Sequence, residues 1–243
     1  MPSEKRGSPS LVILAEGLTL LIDSGPGALR QLARAGLSYK NLDFLLYTHF
    51  HPDHIADLVA YLFAMRYWPG SDRTEPALVY GPTGLQAMTG HLQSAYGHWI
   101  QPPENRVTMA ELPSGTRHGF RCGSIQVESM PVPHTSASLG YKLTTRNGRT
   151  LVVAGDTGYG PQLIDLARKA DLLIMECSFP EEIFVEGHMN SSLAGKAAAE
   201  AEVKTLAMTH FYPETEGHDL VADVKKQFTG EVILAEDLMK ISL

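Results

Sequence analysis

The chain reads as an α/β protein. Short apolar runs alternate along it with stretches whose apolar residues recur at helical spacing. A middle stretch, residues 106–154, instead shows the period-two alternation of strands. No Gly/Ser-rich linker, charge block or low-complexity segment divides the 243 residues, so one domain spanning 1–243 is expected.

The elements follow in order. Leu11 to Ala15 and Leu18 to Ile22 are apolar runs parted by Glu16-Gly17, the pattern of a hairpin. Asp23-Ser24-Gly25-Pro26-Gly27 opens a helix whose buried stripe is Leu29, Leu32 and Ala33. Leu42 to Tyr47 is a strand. Pro52 suits the first position of the next helix, where its missing N–H costs nothing. Ile55, Leu58, Val59, Leu62 and Phe63 give that helix its period, and Trp68-Pro69-Gly70 stops it. Ala77 to Tyr80 is a strand, and Gly81-Pro82-Thr83-Gly84 leads into a helix reaching Tyr96. Ile125 and Val127 alternate with polar neighbours, and Arg146-Asn147-Gly148 turns Leu139–Thr145 back into Thr150–Ala154. Leu163, Leu166, Ala167 and Ala170 mark a helix, and Leu172 to Met175 a buried strand. Residues 191–202 form an alanine-rich helix, and Leu206 to Met208 a strand. Leu220, Val224 and Phe228 mark the last helix before Val232 to Leu234.

Composition narrows the function. Apolar residues make up 44% and charged residues 19%, enough core and too little charge for a disordered chain. The net charge of −7 does not advertise nucleic-acid binding. Two cysteines, Cys122 and Cys177, build no disulfide framework, and a cytoplasmic setting fits. No apolar run is long enough for a transmembrane helix, and Met-Pro-Ser-Glu-Lys-Arg is not followed by a signal-peptide apolar segment.

The chemistry concentrates at His49-Phe50-His51-Pro52-Asp53-His54, three imidazoles and a carboxylate in six residues. In extended backbone, positions two apart point the same way, so His49 and His51 can share one ion. Asp53 and His54, in the first helical turn, can face a second. Imidazole with carboxylate suits zinc, with manganese or iron as alternatives. Further candidates leave strand ends: His134 after Gln126–Val132, Asp156 after Leu151–Ala154, His210 after Leu206–Met208. Rigid strand ends are where a precise site belongs. An internal echo supports this, since Leu45-Leu46-Tyr47-Thr48-His49-Phe50 is matched by Leu206-Ala207-Met208-Thr209-His210-Phe211.

Together these residues resemble the ordered ligand motifs of the metallo-β-lactamase superfamily. The resemblance implies a four-layer αββα sandwich, without the family's first strand. It implies that His49, His51 and His134 hold one metal, that Asp53, His54 and His210 hold a second, and that Asp156 bridges. Within the superfamily, Asp23-Ser24-Gly25-Pro26-Gly27, Glu176-Cys177-Ser178-Phe179 and a histidine before an alanine-rich helix, His188, are similar to the ribonuclease Z branch. There Glu176 would orient His188 beside the scissile phosphate. The long Gly/Pro-rich arm with which ribonuclease Z grips tRNA has no counterpart in this sequence. A homodimer is implied by the resemblance alone.

Two ions so held would acidify a bridging water and stabilise charge developing on an oxygen. Asp53 could also steer the nucleophile, and a Glu176–His188 pair could protonate the leaving alkoxide. The expectation is therefore a metal-dependent phosphodiesterase acting on small or cyclic phosphodiesters. A lactone, sulfate-ester or other ester hydrolase, or a tRNA 3′-processing endonuclease with an RNA partner, are the alternatives. The alternative reading of His188 is a helix-start residue in a mobile loop, and that of Glu176 a strand-end ion-pair partner. Asp23 either orients a ligand imidazole or shapes a turn. Met65, Tyr67, Trp68, Phe179, Phe184 and Phe211 are pocket-wall candidates for which ordinary packing is the simpler reading. His91, His98, His118 and His218 fall outside the ligand pattern, and neither cysteine has a base assigned to it.

Overall fold

The computed structural model describes residues 4–69 and 74–243. Met1 to Ser3, and Gly70 of the expected helix stop, lie outside the described residues. The chain divides into two compact units, Met1–Pro113 and Ser114–Leu243.

The first unit carries a five-stranded sheet, β1 (Leu11–Ala15), β2 (Leu18–Ile22), β3 (Phe44–Leu46), β4 (Ala77–Pro82) and β5 (Val107–Leu112), in that spatial order. The β1–β2 hairpin closes at Ala15–Leu18, with Glu16 and Gly17 both at positive φ. That two-residue turn matches the twist of the strands it joins. From β2 to β5 every pairing is parallel, so helices cross between strands: α1 (Ala28–Arg34), α2 (Pro52–Ile55), α3 (Asp57–Tyr67) and α4 (Leu85–Tyr96). Leu21, Leu45 and Val79 pack with Leu32 of α1, Leu58, Leu62 and Met65 of α3 and Leu85 of α4.

Three details depart from the sequence reading. β3 is shorter than 42–47, although Tyr47 still donates its N–H to Tyr80 O. On α1 the buried positions are Ala28 and Leu32, and Ala33 faces solvent. On α3 the core face is Leu58, Tyr61, Leu62 and Met65, whereas Phe63 lies about 100° around the helix and is exposed.

The second unit carries a seven-stranded sheet in the order β12-β11-β10-β9-β8-β7-β6. Its strands are β6 (His118–Cys122), β7 (Ile125–Pro131), β8 (Leu139–Thr144), β9 (Thr150–Val153), β10 (Leu172–Glu176), β11 (Thr205–Thr209) and β12 (Glu231–Leu234). β6 to β9 form an antiparallel meander, and β9 to β12 are parallel. Helices α5 (Pro161–Ala167), α6 (Ser191–Glu200) and α7 (Leu220–Lys225) supply the crossovers. Val152, Leu173, Met175, Leu206 and Met208 pack against Leu163, Leu166, Ala194, Ala197 and Val224. The alanines of α6 let it lie close to α7. A Cβ on Gly195 would stand 2.7 Å from Val224 O.

Asp171 ties the base of this sheet together. It accepts from Thr150 N at 2.7 Å and from Lys204 Nζ at 2.6 Å. The Lys204 ammonium, then the Thr150 amide, hold its carboxyl down at about 2. A carboxylate depressed in the folded state stabilises above its unfolded value near pH 4 and loses that contribution as pH falls through about 2. Asp171→Asn is therefore expected to cost about 1–3 kcal/mol at pH 7 and progressively less toward pH 2, measured by urea unfolding at both pH values.

Among the described residues no helix is long and apolar enough to cross a membrane.

Candidate metal centre

Topology gathers the chemistry of each unit at one sheet edge. In the first unit β2 and β3 are parallel neighbours, so Asp23 and Thr48-His49 leave adjacent C-terminal ends. Pro52 opens α2 one residue after His51, which places Asp53 and His54 in its first turn. The rings of His49 and His51 lie 4.6 Å apart, those of His49 and His54 4.2 Å. His54 Nε2 stands 3.9 Å from Asp53 Oδ2. His49 and His54 are buried, Asp53 is half-buried and His51 is exposed. The Asp23–Gly27 turn is held against this helix. A Cβ on Gly25 would fall 1.9 Å from Asp53 O, so only glycine allows that approach.

In the second unit β9, β10 and β11 are adjacent and parallel, so Asp156, Glu176 and His210 emerge side by side. β7 is separated from β9 by one antiparallel strand, and His134 therefore leaves the same edge. Asp156 Oδ2 is 3.8 Å from His134 Nε2, and Asp156 Oδ1 is 3.5 Å from His210 Nε2. The two oxygens of one buried carboxylate thus address two different imidazoles, as a shared ligand does. Separations of about 3–4 Å suit donors that share an ion at about 2 Å from each.

The hydrogen bonds fix which ring nitrogen each histidine offers. Thr48 donates its hydroxyl proton to Asp23 Oδ2 at 2.7 Å, so its oxygen can only accept from His49 Nδ1 at 3.0 Å. His54 Nδ1 donates to Asp23 Oδ2 at 2.8 Å. His134 Nδ1 donates to Gly187 O at 2.8 Å. Ser178 uses its proton on Glu176 Oε2 or His210 O, and so accepts from His210 Nδ1 at 3.1 Å. All four imidazoles therefore carry the proton on Nδ1 and present the Nε2 lone pair. Protein groups that hold one ring nitrogen while the other ligates are the usual support of a metal site. The donor set, imidazole Nε2 with carboxylate oxygen, fits divalent metal ions.

Glu176 and His188 meet as the sequence suggested. His188 Nδ1 lies 2.9 Å from Glu176 Oε2 and 3.0 Å from Oε1. Burial pushes the Glu176 carboxyl up, against the opposing pull of His188. Glu176 also accepts from Thr157 N at 2.7 Å. The segment bearing His188 is pinned. Ser178 N donates to Met189 O at 3.0 Å, Ser191 N to Phe179 O at 3.0 Å, and Asn190 caps α6.

The other candidates separate. Met65 is core, Tyr67 is exposed beside Phe63, and Trp68 lies under Lys40. Phe184 is exposed, and Phe211 packs partly on the second unit's core. Phe179 stands near His188. Burial pushes both Cys122 and Cys177 up to about 12, which leaves neither thiol nucleophilic at neutral pH. The supporting roles of Thr48, Ser178, Thr157 and the Gly187 carbonyl escaped the sequence reading. Thr48 left a signal there through the Thr-His-Phe echo, and Ser178 through the Glu176-Cys177-Ser178-Phe179 motif.

Asp23 orients the His54 imidazole. Its backbone is left-handed, φ 56, and its carboxylate serves Thr48 N, Thr48 Oγ1 and His54 Nδ1 together. Asp23→Ala is expected to weaken metal affinity by about 10–100-fold, read by competition with a chromogenic chelator.

Comparison with known proteins agrees. The family model described as a beta-lactamase superfamily domain matches residues 19–211. An uncharacterized protein of Mycobacterium leprae (strain TN) is 32% identical over 88% of this chain and 74% of its own length. Ribonuclease Z of Methanosarcina acetivorans is 28% identical over 100% of this chain and 94% of its own. The crystal structure of YhfI from Bacillus subtilis, described as a metallo-beta-lactamase fold protein, superposes with a TM-score of 0.84 at 24% identity, covering 97% of this chain and 92% of that one. Two sheets with crossover helices, histidines and carboxylates at their strand ends, and a family match over more than half of the sequence lead to one statement: the chain belongs to the β-lactamase superfamily, as a hydrolase of metallo-β-lactamase fold resembling ribonuclease Z.

Proposed function

We propose that this hydrolase is a phosphodiesterase acting on small or cyclic phosphodiesters. In this reading His49, His51 and His134 hold one divalent ion, Asp53, His54 and His210 a second, and Asp156 is shared, with zinc the first choice of metal. When bound, the two ions supply acidification of water and stabilisation of charge on the phosphoryl oxygens.

The chain's own groups do the rest. The attacking oxygen bonds to phosphorus as the P–O bond to the leaving group breaks. The electron pair stays on the departing oxygen, which takes a proton from Nε2 of doubly protonated His188. Glu176 holds Nδ1 and stabilises that imidazolium. Asp53 steers the attacking water, whose proton passes to solvent.

One observation carries the reading. A buried carboxylate clamps the imidazole of His188 in the same unit as His134, Asp156 and His210. Among the bonds such a fold hydrolyses, an alkoxide leaving from phosphorus has most need of a positioned acid. The test is a substrate panel with zinc- or manganese-loaded protein: bis(p-nitrophenyl) phosphate and 2′,3′- and 3′,5′-cyclic nucleotides against lactones and aryl sulfates. Turnover confined to lactones or sulfates would overturn it.

The full-length match to Ribonuclease Z supports a second reading, tRNA 3′-end processing. It requires RNA affinity that falls steeply with salt. The net charge of −7 speaks for the small substrate.

A further inference from the structure

We propose that Tyr212 is a positioning residue for His188, and that it acts as part of a stacked aromatic pair with Phe179. The proposal rests on His188 being the proton donor argued above.

Glu176 holds the His188 ring at Nδ1. Three further rings stand against it. His134 meets His188 edge to face at 4.8 Å and 71°. Phe179 meets it at 6.1 Å and 82°. Tyr212 meets it at 5.9 Å and 69°. Phe179 and Tyr212 stack on one another at 5.1 Å and 26°. Tyr212 also leans on His210, at 5.4 Å. One half-buried ring therefore touches both the proposed donor and a proposed ligand.

The backbone holds this ring in place. Tyr212 N donates to Ser178 O at 3.2 Å, and Ser178 is the residue that accepts from His210 Nδ1. Thr215 returns two hydrogen bonds to Tyr212 O, 3.0 Å from its N–H and 2.7 Å from its hydroxyl. Phe179 is fixed at its N–H by Met189 O and at its carbonyl by Ser191 N. Aromatic pairs at such spacing attract one another beyond simple burial. Several of them around one imidazole favour a single orientation of its ring.

The role should show in which leaving groups suffer. A proton donor matters most when the departing oxygen is basic. The experiment compares methyl phenyl phosphate, with a poor leaving group, and methyl p-nitrophenyl phosphate, with a good one, on wild type, Tyr212→Leu, Tyr212→Phe and His188→Ala. Metal content is measured on every sample. Tyr212→Leu is expected to lower kcat for the phenyl ester by about 10–50-fold with KM little changed, and for the p-nitrophenyl ester by under about 3-fold, a fraction of the range for losing the acid itself. Tyr212→Phe keeps the ring and should behave as wild type. In 15N-labelled protein the His188 Nδ1–H resonance should be sharp in wild type and broadened in Tyr212→Leu. If His188→Ala shows no leaving-group dependence, the proton-donor reading falls, and this proposal with it. If His188→Ala shows it and Tyr212→Leu does not, the positioning role alone is overturned. Loss of metal from Tyr212→Leu without leaving-group dependence would make Tyr212 a prop of His210 instead.

Discussion

Replacing Asp156 by alanine is expected to lower turnover by about 10³-fold or more, beyond the range for one lost electrostatic donor. Bound metal should fall below two ions per chain, measured by elemental analysis after gel filtration. The physical reason is its placement. Asp156 is buried, and its two oxygens face His134 Nε2 and His210 Nε2 separately. If it is shared between ions, its loss weakens both sites together. The stability effect should depend on metal. In the loaded protein the substitution should lower Tm. In chelator-treated protein it should leave Tm unchanged or raise it, because a buried carboxylate without cations is costly. Retention of two ions per chain would show that Asp156 is not a shared ligand.

His188→Ala should lower kcat by about 10²–10⁴-fold while metal content holds. The separation of the two readouts is the point. His188 spends Nδ1 on Glu176, and removing it would delete the proposed acid and leave His134 and His210 to their own partners. Glu176→Gln should fall between wild type and His188→Ala. Glutamine keeps a contact to Nδ1 but supplies no charge to the imidazolium, and its amide cannot accept both from Thr157 N and from His188 at full strength. Unchanged turnover in His188→Ala would remove the dyad from the chemistry and reopen the lactone and sulfate readings.

Much of this arrangement was legible in the residue order. Ligand types and spacing are local, so His49 to His54 announce themselves within one strand exit and one helix turn. His134, Asp156 and His210 were legible because each follows an apolar run, and parallel topology brings such exits to one edge. Residues that support others were not. The Gly187 carbonyl has no side chain to notice, and Thr48 and Ser178 look like ordinary strand-end hydroxyls. Tyr212 acts through contacts that the loop's backbone bonds create. Fine details of burial were lost for a different reason. Ala33 and Phe63 sit on the edges of their helical stripes, where small changes in helix phase move a side chain between core and solvent.

The short segment between Phe179 and His188 has a further consequence, for how this enzyme can change. Its last two positions are closed. Gly187 has φ 81, a Cβ there would crowd His134 Nδ1 at 3.3 Å, and His188 is committed to Glu176. A few residues earlier, Phe184 and Val185 project into solvent and Glu182 and Glu186 are exposed. Mutational tolerance therefore changes abruptly along a single loop. Its outer part can drift through new side chains while its inner part keeps one carbonyl and one imidazole in register.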